Sequence, residues 1–327
     1  MKSSIHRLIE KQQENRMFRR HIPAIKINLY KNYEVYAVKD AIDNLSEYSD
    51  FKLPDCFMIG DSLLTTHLRR YNTRLSSKEG QELFLDFIIN SIAEVKTAID
   101  DCFKISPQPY LMGDLPFGST KAGEHLIRIS KTMLEYGADV VKLEVSTSRD
   151  LRSLELLSKN DIPVAAHIGY TPQKSENRQY GISFAESISL MRLAQKVRNC
   201  GACVLVVERI CEIINQALCT PSRNSIPVYS IFSGKACFGG QSLNVWDSVY
   251  RPNFRSYYFP PTALFDSNTY PKTYTHETIK KCFKNLLKAT IENSFPKSPP
   301  NKLSPENVEF MQSIDPWTYS FDSKEKH

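Results

Sequence analysis

The chain has 327 residues, 41% of them hydrophobic and 24% charged, with a formal net charge of +6. That is ordinary for a globular protein and enough to bury a core without disulfide or metal staples. The basic residues are spread out except over Lys2 to His21. With no dense stripe and no nucleic-acid motif, a nucleic-acid partner is not expected. No apolar run approaches the ~18 to 20 residues of a membrane span, so no membrane partner is expected either. The N-terminus lacks the apolar stretch of a secretory signal, and Glu10 and Glu14 argue against a mitochondrial presequence.

Eight cysteines are scattered along the chain, and only Cys200-Gly-Ala-Cys203 has metal-ligand spacing. Without a second pair, zinc is not expected; the segment reads as a helix end at Gly201 flanked by two packed thiols. Reduced thiols point to an intracellular, cytoplasmic setting.

Three zones follow one another. Residues 1–21 are polar and basic with a helical look. Residues 22–296 form the body. Residues 297–327 open on a Pro-, Ser-, Lys- and Asn-rich stretch that reads as a linker or tail. Phe310, Trp317, Tyr319 and Phe321 give that tail the means to dock on the body or on a neighbour.

Within the body, short apolar, β-branched runs alternate with longer amphipathic segments, the signature of βα units and a parallel sheet. The runs are Ala24 to Leu29, Cys56 to Gly60, Tyr110 to Gly113, Val140 to Val145, Val164 to Gly169, Cys203 to Val207 and Val228 to Phe232. A weaker eighth lies near Tyr257 to Phe259. Helices are predicted over Lys78 to Cys102, Lys121 to Tyr136, Leu151 to Lys159, Ser183 to Asn199, Cys211 to Cys219 and His276 to Ile291. Gly137-Ala138-Asp139 reads as a helix C-cap and tight turn ahead of a strand. Eight runs suit a closed (β/α)8 TIM barrel, class α/β. An open doubly wound sheet is the alternative, but no GxGxxG follows the first strand.

Polar residues terminate these runs. The second ends in Gly60-Asp61-Ser62 and the third in Gly113-Asp114. The fourth carries Lys142 and Glu144, the fifth His167-Ile168-Gly169, and the sixth runs into Glu208-Arg209. In a barrel the C-terminal strand ends meet at one mouth, where active sites sit. Asp61, Asp114 and Glu144 are hard oxygen ligands of the kind that hold Mg²⁺ with substrate and water. Any one of them alone is as well explained by a helix N-cap or a loop hydrogen bond; five polar ends in succession favour a site. Lys142 and Glu144, two apart on a strand, share a face; the lysine serves either a plain ion pair or an anionic substrate. His167 is either a satisfied core histidine or a group that meets a carboxylate. Glu208 is the candidate general base.

The blocks Ile59-Gly60-Asp61-Ser62-Leu63, Gly113-Asp114-Leu115-Pro116-Phe117, Val141-Lys142-Leu143-Glu144, Ala166 to Gln173 (AHIGYTPQ) and Val207-Glu208 resemble, in order and separation, those of the ketopantoate hydroxymethyltransferase family. The resemblance runs from about residue 22 to 296, within the wider phosphoenolpyruvate mutase and isocitrate lyase superfamily. It implies hydroxymethyl transfer from 5,10-methylenetetrahydrofolate to 3-methyl-2-oxobutanoate, giving 2-dehydropantoate on the route to pantothenate. By that resemblance Mg²⁺ is held through Asp61, Asp114 and a water-mediated Glu144 and stabilises an enolate. Glu208 removes the proton, Asp61, Ser62, Asp114, Lys142 and His167 line the substrate site, and the protein is a homo-oligomer, a decamer in the family pattern.

The chain also departs from that pattern. The Gly-Met usual after Gly-Asp-Ser-Leu is replaced by Leu64-Thr65 and the basic Leu68-Arg69-Arg70-Tyr71; Thr73 and Ser77 are candidates to keep the loop's hydroxyls. A histidine of the family falls near Phe84, a glycine pair becomes Val145-Ser146, the aspartate of the late block is Gly239, and the usual His-Asp pair is Trp246-Asp247. These changes spare the metal and enolising groups and fall on surrounding loops. Two other readings therefore stay open: a different Mg-dependent 2-oxo-acid aldolase or lyase, or a non-catalytic barrel homologue.

Overall fold

A computed structural model describes residues 24–45, 54–66, 68, 70, 72–104, 108–119, 123–220, 222, 224–234, 240–243, 276–277, 280–281, 283–284 and 302–321. Eight parallel strands close into a barrel in chain order. They are β1 (Ala24–Asn28), β2 (Cys56–Ile59), β3 (Tyr110–Asp114), β4 (Val140–Glu144), β5 (Val164–Gly169), β6 (Val204–Glu208), β7 (Val228–Ile231) and β8 (Gly240–Leu243). Strand β8 pairs with β7 and with β1, Ala24 facing Gly240, and this closes the ring. The expected TIM barrel is what the chain forms.

The helices are α1 (Asn32–Asp43), α2 (Leu63–Thr66, a single turn), α3 (Lys78–Cys102), α4 (Gly123–Glu135), α5 (Ser148–Lys159), α6 (Phe184–Asn199), α7 (Glu212–Cys219) and α8 (Pro305–Ser313). Long α3 begins where Ser77 accepts from the Gly80 amide, an N-cap that satisfies one orphan donor. Helix α4 ends at Gly137, whose φ is +114°. There Ala138 donates back to the Met133 carbonyl at 3.0 Å, so the expected glycine cap is present. Gly201, φ +100°, likewise follows the Cys200 cap that ends α6, as the helix-end reading of the Cys200–Cys203 pair required.

The strand period of two explains the core. Ile25, Ile27, Phe57, Ile59, Leu111, Val141, Leu143, Ala166, Ile168, Leu205 and Val207 point outward and pack on the helices. The alternate residues Ala24, Cys56, Met58, Tyr110, Met112, Val140, Ala165, Val204, Val206, Tyr229 and Ile231 fill the interior. Continuing that inner row toward the C-terminal strand ends gives Asn28, Asp114, Lys142, Glu144, His167 and Glu208. The apolar stack thus gives way to polar groups at one end of the barrel.

Two expectations need correction. The closing strand is Gly240–Leu243; the stretch near Tyr257 to Phe259 lies outside the described residues. The sequence reading also passed over α1, whose inward residues Val35, Ala37, Val38 and Ala41 pack toward α3. Its exposed Tyr33 and Tyr36 blur the apolar stripe. Residues 1–21 lie outside the description, as does most of His276 to Ile291. Among the described residues no helix is long and apolar enough to cross a membrane.

The segment from 302 to 321 lies along α6 and α7. Trp317 is 1% exposed and donates its indole N–H to the Leu218 carbonyl at 3.1 Å. Phe184, Phe310, Tyr319 and Phe321 form a chain of edge contacts, with ring centroids 5.0 to 5.7 Å apart.

Candidate active site

Strand pairing brings the predicted polar residues into register. Asp114 on β3 faces Lys142 on β4, Glu144 faces His167 on β5, and Gly169 faces Glu208 on β6. A Cβ at Gly169, where φ is +88°, would run into the Glu208 carbonyl oxygen. Only glycine lets β5 approach that closely, and Tyr170 then donates its amide to the same carbonyl at 2.8 Å.

Asp61, Ser62, Asp114, Lys142, His167 and Glu208 line one small pocket, together with Lys26, Asn28, Met58, Pro172, Val206 and Ile231. Glu144 stands behind this lining and contacts it through His167 and Gln173. All seven predicted residues are buried, none more than 6% exposed.

Charge organises the cluster. The Lys142 ammonium donates to Asp114 Oδ2 at 2.8 Å, and the Asp61 amide donates to the same oxygen at 3.3 Å. Burial alone would lower Lys142, but Asp114, Asp61 and Glu144 together more than offset it and hold its pKa above the ordinary lysine value. Asp61 is pushed up to about 7, by burial first and the Asp114 charge second. Glu144 is raised well above the carboxylate range by burial and by Asp61. His167 is lowered well below its usual value by burial, then by Lys142, Lys26 and Lys174, so its imidazole is neutral at pH 7. Its Nε2 lies 3.3 Å from Glu208 Oε2 and its Nδ1 3.9 Å from Glu144 Oε1. Neither approach is aligned as a hydrogen bond.

Five residues to which the sequence assigned no role shape the site. Gln173 donates its side-chain amide to Asp61 Oδ2 at 2.8 Å and to the Leu115 carbonyl at 3.0 Å, and its backbone N–H to Glu144 Oε2 at 3.0 Å. One loop residue therefore ties two acids together. Its own carbonyl accepts from Arg74 Nε at 2.8 Å, which ties the segment ahead of α3 to the loop after β5. Tyr30 shares a 2.7 Å hydrogen bond with the Ser62 hydroxyl. Lys26 and Asn28 occupy the inner face of β1, the lysine donating to Asn28 Oδ1 at 2.6 Å; burial brings Lys26 down to about 8. Lys26 and Asn28 had a sequence signal, two polar residues at period two inside an apolar run.

The loop where Val145-Ser146 stands is ordered by a capping box. Asp150 accepts from the Ser146 and Thr147 amides at 3.0 and 2.9 Å, and Lys174 bridges Asp150 to the Glu144 carbonyl at 2.6 and 2.7 Å. Thr73 is buried beside Asp61, while Ser77 serves as a helix cap.

The donor set suits a hard divalent cation. Asp114 Oδ1 and Glu144 Oε1 are buried without a hydrogen-bond partner, and the burial and, second, the mutual repulsion that raise Asp61 and Glu144 are what a cation would offset. Among the described residues no three His, Cys, Asp or Glu side chains form a ready metal-holding group. A cation here would take one or two carboxylates and complete its shell from water and substrate, the habit of Mg²⁺.

A family model described as ketopantoate hydroxymethyltransferase matches residues 44–297. The 3-methyl-2-oxobutanoate hydroxymethyltransferase of Campylobacter jejuni is 26% identical over 245 residues, covering 73% of this chain and 77% of that protein. The enzyme of the same name from Emericella nidulans is 29% identical over 221 residues, 65% of this chain and 58% of the other. Among solved structures, 2,3-dimethylmalate lyase, a PEP mutase/isocitrate lyase superfamily member, superposes over 96% of this chain and 93% of its own at 11% identity and a TM-score of 0.46.

Proposed function

The chain belongs to the ketopantoate hydroxymethyltransferase family, and on that premise we propose that it transfers a hydroxymethyl group from 5,10-methylenetetrahydrofolate to 3-methyl-2-oxobutanoate, giving 2-dehydropantoate. The observation that carries the reading is the single buried cavity lined by Asp61, Ser62, Asp114, Lys142, His167 and Glu208 at the C-terminal strand ends.

In this reading Asp61 and Asp114, with Glu144 behind them, hold Mg²⁺, which when bound supplies Lewis-acid polarisation of a ketone beside a carboxylate. Lys142 offsets the crowded acids and keeps Asp114 in place through their 2.8 Å contact. Ser62, fixed by Tyr30, offers a hydroxyl to orient the acid. Glu208 accepts the C3 proton, and neutral His167, 3.3 Å away, leaves that carboxylate its charge and faces the substrate. The resulting carbanion attacks the methylene carbon of the folate; the carbon–nitrogen bonds that held this carbon break, water supplies the hydroxyl oxygen, and tetrahydrofolate leaves carrying the protons on its nitrogens. Val206 and Ile231 give the branched tail an apolar wall. Gln173 acts through other groups, as a positioning residue for Asp61 and Glu144. A homo-oligomeric assembly and a cytoplasmic setting are parts of the same proposal and rest on family membership.

The test follows C3 proton loss from 3-methyl-2-oxobutanoate in D₂O by NMR with Mg²⁺ present. Exchange is expected, with 2-dehydropantoate forming once methylenetetrahydrofolate is added. No exchange, with Glu208→Gln indistinguishable from wild type, would overturn the proposal. Exchange without product would favour an aldolase or lyase acting on another 2-oxo acid, a reading supported by the altered loop after β2.

A further inference from the structure

One charged group in the cavity takes no part in that chemistry. Lys26 sits one inner position deeper on β1 than Asn28 and is 1% exposed. Its ammonium donates to Asn28 Oδ1 at 2.6 Å and touches Met58 Sδ at 3.4 Å. Both partners are neutral, and among the described residues Lys26 makes no ion pair, whereas Lys142 rests on Asp114. An ammonium has three protons to place, and although Asp114 and Glu208 favour its charge from a distance, a buried cation with no ion-pair partner is costly. The open side of Lys26 is the cavity it lines.

The balance of the cavity points the same way. Asp61, Asp114 and Glu208 line the space that an anionic substrate must enter, with Glu144 behind them, and Lys142 is already engaged by Asp114. An incoming carboxylate needs a cation that no protein acid has claimed, and Lys26 is placed to be one.

We propose that Lys26 is an anion anchor at the floor of the pocket, receiving the substrate carboxylate while Asn28 holds the ammonium in position. The inference rests on the 2-oxo-acid reading above. It makes Lys26 a determinant of specificity for acids over neutral ketones. The apolar Val206 and Ile231 line the same cavity and suit the rest of a short branched chain.

The experiment compares the full-length wild type and Lys26→Met by calorimetry with Mg²⁺ present, using 3-methyl-2-oxobutanoate and its neutral amide as ligands. The substitution should weaken the acid about 30-fold, in the range of one charge-assisted hydrogen bond, and the amide less than about 3-fold. Without ligand the urea midpoint of Lys26→Met should equal or exceed that of wild type, because a buried charge with no ion-pair partner has been removed. Lys26→Gln serves as the second variant and should show the same ordering. Equal losses for acid and amide, unchanged affinity for the acid, or a lower midpoint in both variants would overturn the assignment. So would a borohydride-stable adduct on Lys26, which would make it an imine-forming nucleophile. Wild type binding neither ligand would bring down the 2-oxo-acid reading itself; wild type binding both with Lys26→Met unaffected would bring down this inference alone.

Discussion

Gln173→Leu removes the amide that holds Asp61 while keeping a similar side-chain volume and the backbone donor to Glu144. Two bonds go, one to a carboxylate at 2.8 Å and one to the Leu115 carbonyl at 3.0 Å. A buried hydrogen bond to a charged group contributes about 1.5–3 kcal/mol and a neutral one about 0.5–1.5, so a loss of about 2–4.5 kcal/mol is expected at pH 8. The pH dependence is specific. Asp61 has a folded-state pKa of about 7, above the roughly 3.9 of an unfolded aspartate. A group raised in this way contributes stability that is complete below the unfolded value and is lost as pH rises through the folded one. Gln173 holds Asp61 down, so the variant's pKa lies higher still and its loss continues to higher pH. Urea unfolding in EDTA at pH 5 and pH 8 should therefore show a larger deficit at pH 8, with an unchanged slope in denaturant. An equal midpoint at pH 8, or a larger deficit at pH 5, would refute the reasoning.

Three other outcomes are expected. Mg²⁺ with 3-methyl-2-oxobutanoate should raise the melting temperature of wild type and leave Asp114→Ala unmoved, and an unchanged shift in the variant would count against the metal assignment. The wild-type shift should be larger at pH 8 than at pH 5.5, because Asp61 must lose its proton to bind a cation. Trp317→Ala should cost about 3–5 kcal/mol, the range for an aromatic deleted from a core; a urea midpoint within error of wild type would show that the C-terminal segment does not contribute to stability.

Much of the barrel was legible because short β-branched runs and amphipathic stretches carry local periodic signals. Lys78 to Cys102 was readable to the residue. Strand β8 was not. Four residues beginning with Gly240 carry little β propensity, and their strand character depends on pairing with β1 and β7, from opposite ends of the chain. At the site, residues that end apolar runs stood out, since a charge there breaks a visible pattern. Lys26 hid inside the run Ala24 to Leu29, where one lysine reads as a solvent-facing position of an alternating strand. In a closed parallel barrel that face is the interior. Gln173 sat in a recognised block, yet its bonds reach Asp61 and Glu144, 112 and 29 positions away. Such a role exists only once three loops meet.

The docking of the C-terminal segment bears on how that part of the chain tolerates change. Arg192, Gln195 and Arg198, on successive turns of α6, donate to the carbonyls of Phe321, Tyr319 and Trp317 at 2.9, 2.8 and 2.8 Å. These grips recognise main chain, which every amino acid presents alike. Substitutions at the exposed Thr318, between two gripped positions, should therefore pass almost unnoticed. The helix that does the gripping has no such freedom: exchanging its three donors would release the segment from the wall behind β5, the strand that carries His167.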